Sequence, residues 1–388
     1  MADDQDPTWN PRDAAVLMDQ RAAYDEMREQ CPVAHSELLG WSLFAQDDVV
    51  RAVSDPGTYS SETKRQPIPN GMDPPEHGIY RTPLEPFFSA ERMTAFEPRS
   101  REIASNLLDP AVERGAIEAI DDFVNPFAHQ ALCAFMGWPV EDWNRISGWT
   151  HGNQEAAFWQ DRDAGADLAR EFATYVNAML DDRRANTSTD DLMSELLHTT
   201  VHDEPLSHEQ IVSALRTWTA GHGTVAAALG IVIRYLADHV ELQDRLRAEP
   251  TLVDHAIGEI LRTDGPLVAN NRTTTRDVEI GGRKIGSGER ISLMWISANR
   301  DPAANAQPDR VDLHRDNATN LLFGSGIHRC LGEPLARLNL RVGVGELLRR
   351  TARFELAAVE EPARHHYPSN GLSTLPVRLM PARTGPQR

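Results

Sequence analysis

Residues 323–332 read FGSGIHRCLG, and a helical pattern starts directly after them at Pro334. Glycines permit a tight loop and let the backbone approach a ligand closely. A helix that begins just after Cys330 would direct backbone amide hydrogens and positive dipole potential towards its sulfur, and both effects favour the thiolate form. A sheltered thiolate of this kind suits a metal ligand, whereas the alternative is a buried structural cysteine beside a glycine turn.

Composition and charge narrow the class of protein. The chain has 388 residues, a formal net charge of -19 and three cysteines, Cys31, Cys133 and Cys330. Cysteines so few and so scattered favour neither a disulfide framework nor a zinc site. The acidic charge argues against nucleic acid or an anionic membrane surface as the partner. Residues 1–10 lack the features of a signal peptide, and no apolar run has the length of a spanning helix, so we expect a cytoplasmic protein.

Helical periodicity dominates the chain and predicts a mainly α protein with small β-sheets. Residues 93–180 have the pattern of amphipathic helices with short breaks. Strand-like stretches are short and occur mainly in the later half, at residues 277–280 and 290–295.

The longest predicted helix covers residues 208–237 and starts with a capping box formed by Ser207 and Gln210. At about 1.5 Å per residue it is about 45 Å long, enough to cross a domain, and its mostly apolar face predicts a central core helix. Gly221 and Gly223 interrupt its middle, and each costs about 1 kcal/mol relative to alanine. We therefore expect a functional reason for these two glycines.

The pattern F-G-x-G-x-H-x-C-x-G in residues 323–332 resembles the haem-binding signature of the cytochrome P450 family. The resemblance implies a single haem domain over residues 1–388, without a fused reductase. In this fold haem b (iron protoporphyrin IX) lies between the long central helix and the cysteine loop, and Cys330 is the thiolate ligand of the iron. The loop residues expected to help bind the cofactor are Phe323, Gly324, His328 and Gly332.

Two helical motifs also resemble this family. Glu259 and Arg262 match its E-x-x-R pattern, which implies a structural ion pair on one helical face. Residues 220–224, with the sequence AGHGT, match its A/G-G-x-D/E-T pattern, in which small residues leave space for dioxygen. The threonine hydroxyl of this pattern bonds to the backbone, to water or to oxygen.

Gly223 departs from the family pattern, because it stands where an acidic residue usually assists proton delivery. Thr224 with ordered water is one remaining proton route. His222 is an alternative donor, although a histidine packed on a helix is more often structural.

Four basic residues match the positions from which the family binds the haem propionates. Residues 73–77 read DPPEH and resemble a helix start in which His77 and Arg81 share one face. Arg272 and His328 occupy the other two positions. A buried dianionic porphyrin edge requires such partners, because unpaired buried charge is expensive.

The resemblance implies a monooxygenase that activates dioxygen with two electrons and inserts one oxygen atom into a small hydrophobic organic substrate. Hydroxylation and oxidative dealkylation are the expected outcomes. The expected catalytic residues lie in the glycine-containing helix and are Ala220, Gly223 and Thr224. The expected substrate pocket is formed by small or short side chains, namely Ala220, Thr224, Val268, Ala269 and Thr374.

We expect electrons to come from a separate ferredoxin or flavodoxin with its reductase. The region around the cysteine has a basic bias that an acidic partner would fit. It comprises Arg329, Arg337, Arg341, Arg349 and Arg350, against Glu333 and Glu346. Two other functions stay open: a peroxygenase that uses hydrogen peroxide, which Gly223 favours, and a non-catalytic haem-thiolate sensor, which the oxygen-activating motif disfavours.

Overall fold

The computed structural model describes residues 9–63, 66–186, 191–357, 364–365 and 367–382. Helices dominate these residues, as the periodicity predicted. The α-helices in this part of the chain are α1 (Ala14–Met18), α2 (Gln20–Gln30), α3 (Gln46–Ser54), α4 (Glu76–Leu84), α5 (Ala90–Arg114), α6 (Asn125–Met136), α7 (Trp143–Trp159), α8 (Arg162–Ala185), α9 (Leu192–His198), α10 (His208–Asp238), α11 (Val240–Ala248), α12 (Val253–Thr263), α13 (Trp295–Asn299) and α14 (Glu333–Arg350). The strands are β1 (Val33–Ser36), β2 (Gly40–Leu43), β3 (Tyr59–Ser60), β4 (Ala116–Glu118), β5 (Thr200–Val201), β6 (Glu204–Pro205), β7 (Ala269–Thr274), β8 (Val278–Ile280), β9 (Arg283–Ile285), β10 (Arg290–Met294), β11 (Thr351–Leu356) and β12 (Pro376–Pro381).

The described residues fall into two compact units. Unit 1 takes its residues from 1–81, 258–331 and 366–368, and unit 2 from 82–257, 332–365 and 369–388. The assignment of the whole chain to a single haem domain stays a prediction.

Unit 1 contains a five-stranded sheet in the order β1-β2-β10-β7-β3. Strand β10 lies in the middle of this sheet, parallel to β2 and antiparallel to β7. Ile291, Ser292 and Leu293 of β10 are completely buried, so both faces of the strand are covered. The apolar core on this sheet includes Trp41, Val49, Leu293, Trp295 and Leu321.

Three strands of this sheet lie within residues 33–60, where the sequence analysis identified none. They have four residues or fewer, which is too short for a two-residue periodicity to be distinctive. Gly40 begins β2 with a φ of 66°, and a Cβ atom there would collide with the carbonyl oxygen of Arg290. The close pairing of β2 with β10 therefore requires glycine at this position.

Unit 2 contains the long helix α10, which has 31 residues. The predicted capping box is present: the Ser207 hydroxyl accepts from the backbone N–H of Gln210, and the Gln210 side chain accepts from the backbone N–H of Ser207. By length and composition alone this helix could cross a membrane. However, 72% of its most apolar stretch of 18 residues is buried within the protein. It packs against α6, α7, α8 and α14, so it is a core helix of this unit.

The ion pair between Glu259 and Arg262 is completely buried in unit 1. Nε of Arg262 donates to Oε1 of Glu259 at 2.8 Å. The Arg262 side chain is 1% exposed and the Glu259 side chain is 0% exposed. The guanidinium also donates to the backbone oxygens of Asn299, Pro308 and Arg310, at 3.1, 2.8 and 3.0 Å. Arg262 therefore connects α12 to the loop that follows α13.

The carboxylate of Glu259 is held by three donors. Burial raises its pKa, but hydrogen bonds from Arg262, from the backbone N–H of Asp312 and from Arg315 outweigh burial and hold the pKa below its ordinary value. The Asp312 and Arg315 bonds are 3.1 and 2.9 Å long. The pair is thus stable only as a complete set, because removing one partner leaves an uncompensated buried charge.

We expect Arg262→Met to lower the free energy of unfolding by about 3 to 5 kcal/mol, because it strips the main partner from a buried carboxylate. The matched control is Arg349→Met. Glu346 and Arg349 have the same i, i+3 spacing, but the Arg349 side chain is 62% exposed, so the loss should stay below about 1 kcal/mol. Denaturant unfolding of the holoprotein, followed by circular dichroism, measures both. Equal losses would contradict the structural role of the buried pair.

Candidate functional site

Backbone hydrogen bonds and two glycines shape the loop that carries Cys330. Its backbone N–H donates to the carbonyl oxygen of Phe323 at 2.9 Å. Gly324 and Gly326 have φ values of 69° and 68°, in the left-handed region that favours glycine. A Cβ atom on Gly326 would also lie 2.5 Å from the carbonyl oxygen of Val53. The local sequence therefore determines the tight turn that precedes the cysteine.

Gly332 differs from the two loop glycines. It has a φ of -81°, and a Cβ atom there would make ordinary contact with the Phe88 ring at 3.9 Å. Gly332 is the N-terminal cap of α14, so a helix does begin three residues after Cys330. The backbone does not require glycine at this position, and its part in cofactor binding stays a prediction.

The three cysteines differ in accessibility. Cys133 is fully buried, and burial raises the pKa of its thiol to about 12, which makes it unreactive. Cys31 is half-buried, and its thiol donates to the carbonyl oxygen of Val33 at 3.3 Å. Cys330 is exposed. Accessibility therefore favours Cys330 as the ligand, in agreement with the sequence pattern.

The four predicted propionate partners are brought together within unit 1. The imidazole rings of His77 and His328 have centroids 4.3 Å apart. Arg81 follows His77 by one turn of α4, and its guanidinium donates to the carbonyl oxygen of Arg329 at 2.8 Å. Arg272, on β7, is close enough for its charge to affect His328. The cluster adjoins the cysteine loop, which contains His328 itself.

This cluster fits a buried dianion. Burial first, and then the positive charges of Arg272, His77 and Arg81, lower the pKa of His328 to about 3. Burial also lowers the pKa of Arg272, against the attraction of Asp73. Nε2 of His328 is buried and has no hydrogen-bond partner among the residues that the structure describes. Carboxylates would satisfy both the charge and this nitrogen, so the residues present fit the propionates of haem b.

Unit 2 carries the predicted oxygen-activating residues on α10. Ala220 is exposed, and Gly223 and Thr224 are half-buried. The hydroxyls of Thr217 and Thr219 donate to the carbonyl oxygens four residues earlier, at 3.0 and 2.7 Å. The Thr224 hydroxyl makes no hydrogen bond to any residue that the structure describes. It is therefore available to bind water or a ligand oxygen.

His222 lies in the interior of unit 2. It is 6% exposed, and its Nδ1 lies 3.3 Å from the carbonyl oxygen of Trp218. Burial lowers its pKa to about 4, with smaller effects from that carbonyl and from His129. A neutral, buried imidazole is a poor proton donor near neutral pH, so the structure favours the structural interpretation of His222.

The structure also reveals what surrounds Gly223, which sequence reasoning missed. A Cβ atom on Gly223 would lie 2.5 Å from Cγ2 of Thr150 and 2.7 Å from Nε2 of Gln154, both on α7. No local motif marks these two residues, because the contact joins positions about 70 residues apart. The only indication in the sequence is that Gly223 replaces the acidic residue of the family pattern, which leaves space for a side chain from another helix.

The remaining pocket residues have different surroundings. Val268 and Ala269, in unit 1, are 0% and 3% exposed, which favours a packing role over direct contact with substrate. Thr374, in unit 2, is exposed. Near it, a Cβ atom on Gly371 would lie 2.9 Å from Cβ of Ala227, so this loop packs against α10 one turn beyond Thr224. Their assignment to the pocket stays a prediction.

Carboxylates neutralise much of the basic bias after the cysteine loop. Arg337 pairs with Glu333 at 2.8 Å, and Arg341 pairs with Glu97 and Asp254 at 3.0 and 3.3 Å. The two arginine side chains are still 43% and 41% exposed. They remain accessible to a partner, but with less net charge than the sequence predicted.

Arg349 and Arg350 form ion pairs with the carboxylate of Glu346, which is 0% exposed. Arg101 of α5 also pairs with Glu346, at 2.5 Å. This arrangement is an internal ion network of unit 2, so these two arginines contribute less to a docking surface than the sequence suggested.

Known proteins share this fold and these motifs. The cytochrome P450 family model matches residues 138–380. The cyclomarin C epoxidase of Salinispora arenicola is 33% identical over 354 residues, which cover 86% of this chain and 89% of that protein. The vitamin D(3) 25-hydroxylase of Pseudonocardia autotrophica is 32% identical over 381 residues, covering 92% and 93%. The solved structure of a P450 EryK mutant in complex with erythromycin B has a TM-score of 0.87 and 27% identity, covering 95% of this chain and 98% of that one.

The family match spans more than half of the chain, and the two named relatives are oxygenating enzymes. Fold, cysteine loop and cationic cluster agree with that match. The chain therefore belongs to the cytochrome P450 family, as a monooxygenase whose cofactor is haem b.

Proposed function

We propose that this enzyme inserts one oxygen atom of dioxygen into a small hydrophobic organic substrate, by hydroxylation or oxidative dealkylation, with Cys330 as the thiolate ligand of the haem iron. The observation that carries the proposal is the Thr224 hydroxyl, which lacks the backbone bond that Thr217 and Thr219 make. When bound, the haem supplies the iron at which dioxygen is activated, and thiolate donation favours O–O bond cleavage. An epoxidase and a hydroxylase among the relatives support oxygen insertion.

The residues around the cofactor have distinct tasks in this proposal. His77, Arg81, Arg272 and His328 bind the propionates and so fix the orientation of the haem. Phe323 and the loop glycines hold the Cys330 backbone in position. These residues position the cofactor and take no part in the chemistry of the substrate.

The residues of α10 act on the oxygen and on protons. Ala220 is small and exposed, so it leaves room for dioxygen beside the helix, whereas the space next to Gly223 is occupied by side chains of α7. The Thr224 hydroxyl accepts a hydrogen bond from one water and donates to oxygen, so it can hold a proton path at Oγ1. A substrate that contacts apolar residues here would also exclude bulk water.

We further propose that electrons come from a separate ferredoxin or flavodoxin with its reductase. Arg337 and Arg341 of α14 are 43% and 41% exposed and would pair with an acidic partner. The cytoplasmic location expected from the sequence stays a prediction and agrees with a protein partner of this kind.

A peroxide-driven peroxygenase is the second candidate. The observation that favours it is Gly223, because hydrogen peroxide already carries the two protons and two electrons that dioxygen must otherwise receive, so the acid that assists proton delivery matters less. Comparing product formed with hydrogen peroxide and product formed with reduced ferredoxin separates the two functions.

We expect the reduced holoprotein to show, with carbon monoxide, the thiolate-specific absorption band that gives the family its name. Cys330→His should retain haem but lose this band, because imidazole replaces the thiolate. Cys31→Ser is the control and should keep the band, since Cys31 lies outside the loop. A band that persists in Cys330→His would overturn the assignment of the ligand.

We expect Thr224→Ala to consume reductant but to release peroxide in place of product, because water near the oxygen loses its hydrogen-bond partner. Product per reductant should fall at least about 10-fold, the scale of a lost proton-transfer group. The control is Thr217→Ala, whose hydroxyl is bonded to the Ser213 carbonyl oxygen and should matter less than about twofold. Unchanged coupling in Thr224→Ala would count against oxygen activation on this helix.

We expect Arg337→Gln combined with Arg341→Gln to slow reduction by the protein partner about 3- to 10-fold at low salt. The difference should vanish near 1 M salt, where the Debye length is about 3 Å. Stopped-flow reduction measures the rate, and Arg349→Gln is the control because its charge serves Glu346. A deficit that is independent of salt would show that the arginines act on stability and not on docking.

A further inference from the structure

The space next to Gly223 is already filled by another helix. Thr150 and Gln154 of α7 lie so close that any side chain at position 223 would collide with Cγ2 of Thr150 and Nε2 of Gln154. Thr150 cannot rotate away freely, because its hydroxyl donates to the carbonyl oxygen of Ile146 at 2.9 Å. An acidic residue at position 223 would therefore require the side chains of Thr150 and Gln154 to move.

Gln154 brings a polar group to the place that the acid would occupy. The carboxamide nitrogen lies 2.7 Å from the position of a Cβ atom on Gly223. The neighbouring amide of Asn153 is engaged with the carbonyl oxygen of Trp149 at 2.8 Å. Gln154 makes no hydrogen bond with any residue in the described part of the chain, and it is half-buried. Its donors and acceptor are therefore available.

Thr224 is the nearest catalytic group. Consecutive Cα atoms are about 3.8 Å apart, so the Gln154 nitrogen lies at most roughly 8 Å from Cα of Thr224. One or two waters span such a gap and hydrogen-bond at both ends. His222 is a poor substitute, because it is buried and its pKa is lowered to about 4 by burial.

We propose that Gln154 is a positioning residue for proton delivery: its carboxamide, packed against Gly223, orders the water that bonds to the Thr224 hydroxyl. An amide does not release a proton in this pH range, so Gln154 acts through the water and not as an acid. The inference rests on the proposed oxygen insertion, and it assigns to α7 a task that the family pattern assigns to α10.

Gln154→Leu and Gln154→Glu test the hydrogen bond. Leucine has a similar size but cannot bond water, so product per reductant should fall about 3- to 10-fold, the scale of one hydrogen bond. Glutamate can still bond water, and it should keep coupling within about twofold of the parent. It should also introduce a carboxyl-dependent pH profile, because its charge changes with pH.

The matched control is Asn153→Leu, which removes a carboxamide from the same helix that is already bonded to backbone. Coupling in this variant should equal that of the parent. Substrate titration, followed by the shift of the Soret band, should give the same dissociation constant for Gln154→Leu as for the parent. A weakened dissociation constant with unchanged coupling would identify Gln154 as a substrate contact and overturn the proposal.

A measurement without turnover tests the packing. Gly223→Ala should lower the thermal midpoint of the holoprotein, because its Cβ collides with α7. Adding Thr150→Ser and Gln154→Ala removes both colliding atoms and should restore most of that loss. A midpoint that Gly223→Ala leaves unchanged would show that the space is open, and the proposal would fail.

The outcomes separate this proposal from the function on which it rests. A parent enzyme that has the thiolate band but forms no product with any reductant or peroxide contradicts the proposed function, whatever Gln154 does. A parent that forms product, with Gln154→Leu equally coupled, contradicts only the role of Gln154.

Discussion

Bringing His77, Arg81, Arg272 and His328 together carries a free-energy cost, because partial burial of the cluster reduces the screening of their mutual repulsion by water. The effect is visible in the pKa of His328, which burial and the neighbouring cations lower to about 3. A dianion bound among these groups reverses that cost, so cofactor binding and the stability of unit 1 are linked. The loop that carries Cys330 also carries His328, so the loop and the cationic cluster are connected through that residue.

Each unit also contains a fully buried carboxylate that is surrounded by arginines. Glu259 in unit 1 is paired with Arg262 and Arg315, and Glu346 in unit 2 is paired with Arg101 and two arginines of its own helix. Losing a buried partner such as Arg262 leaves a buried carboxylate uncompensated, whereas the exposed Arg349 contributes less to its network. The two networks fix α12 and α14, and α14 directly follows the haem-binding loop in the sequence.

Local patterns in the sequence predicted what local contacts determine. The capping box at Ser207, the long helix α10 and the glycine turn before Cys330 all follow from residues close in sequence. The assignment of the propionate partners comes from the family resemblance and stays a prediction. The E-x-x-R pattern was less informative, because both residues 259–262 (EILR) and residues 346–349 (ELLR) fit it. Burial distinguishes the two, since Arg262 is 1% exposed and Arg349 is 62% exposed. The burial of an arginine depends on residues distant in the sequence, so the four-residue pattern does not predict it.

The contact between α7 and Gly223 was beyond sequence reasoning for the same reason. The motif on α10 shows that an acid is missing, but not what occupies its place. Because Thr150 and Gln154 fill that space, a substitution at position 223 requires these side chains of α7 to move, and changes on the two helices are expected to be coupled. The departure of α10 from the family pattern and the packing of α7 are therefore one structural feature. In the role proposed for Gln154, the proton path involves both α7 and α10, and the motif on α10 describes only one of these two helices.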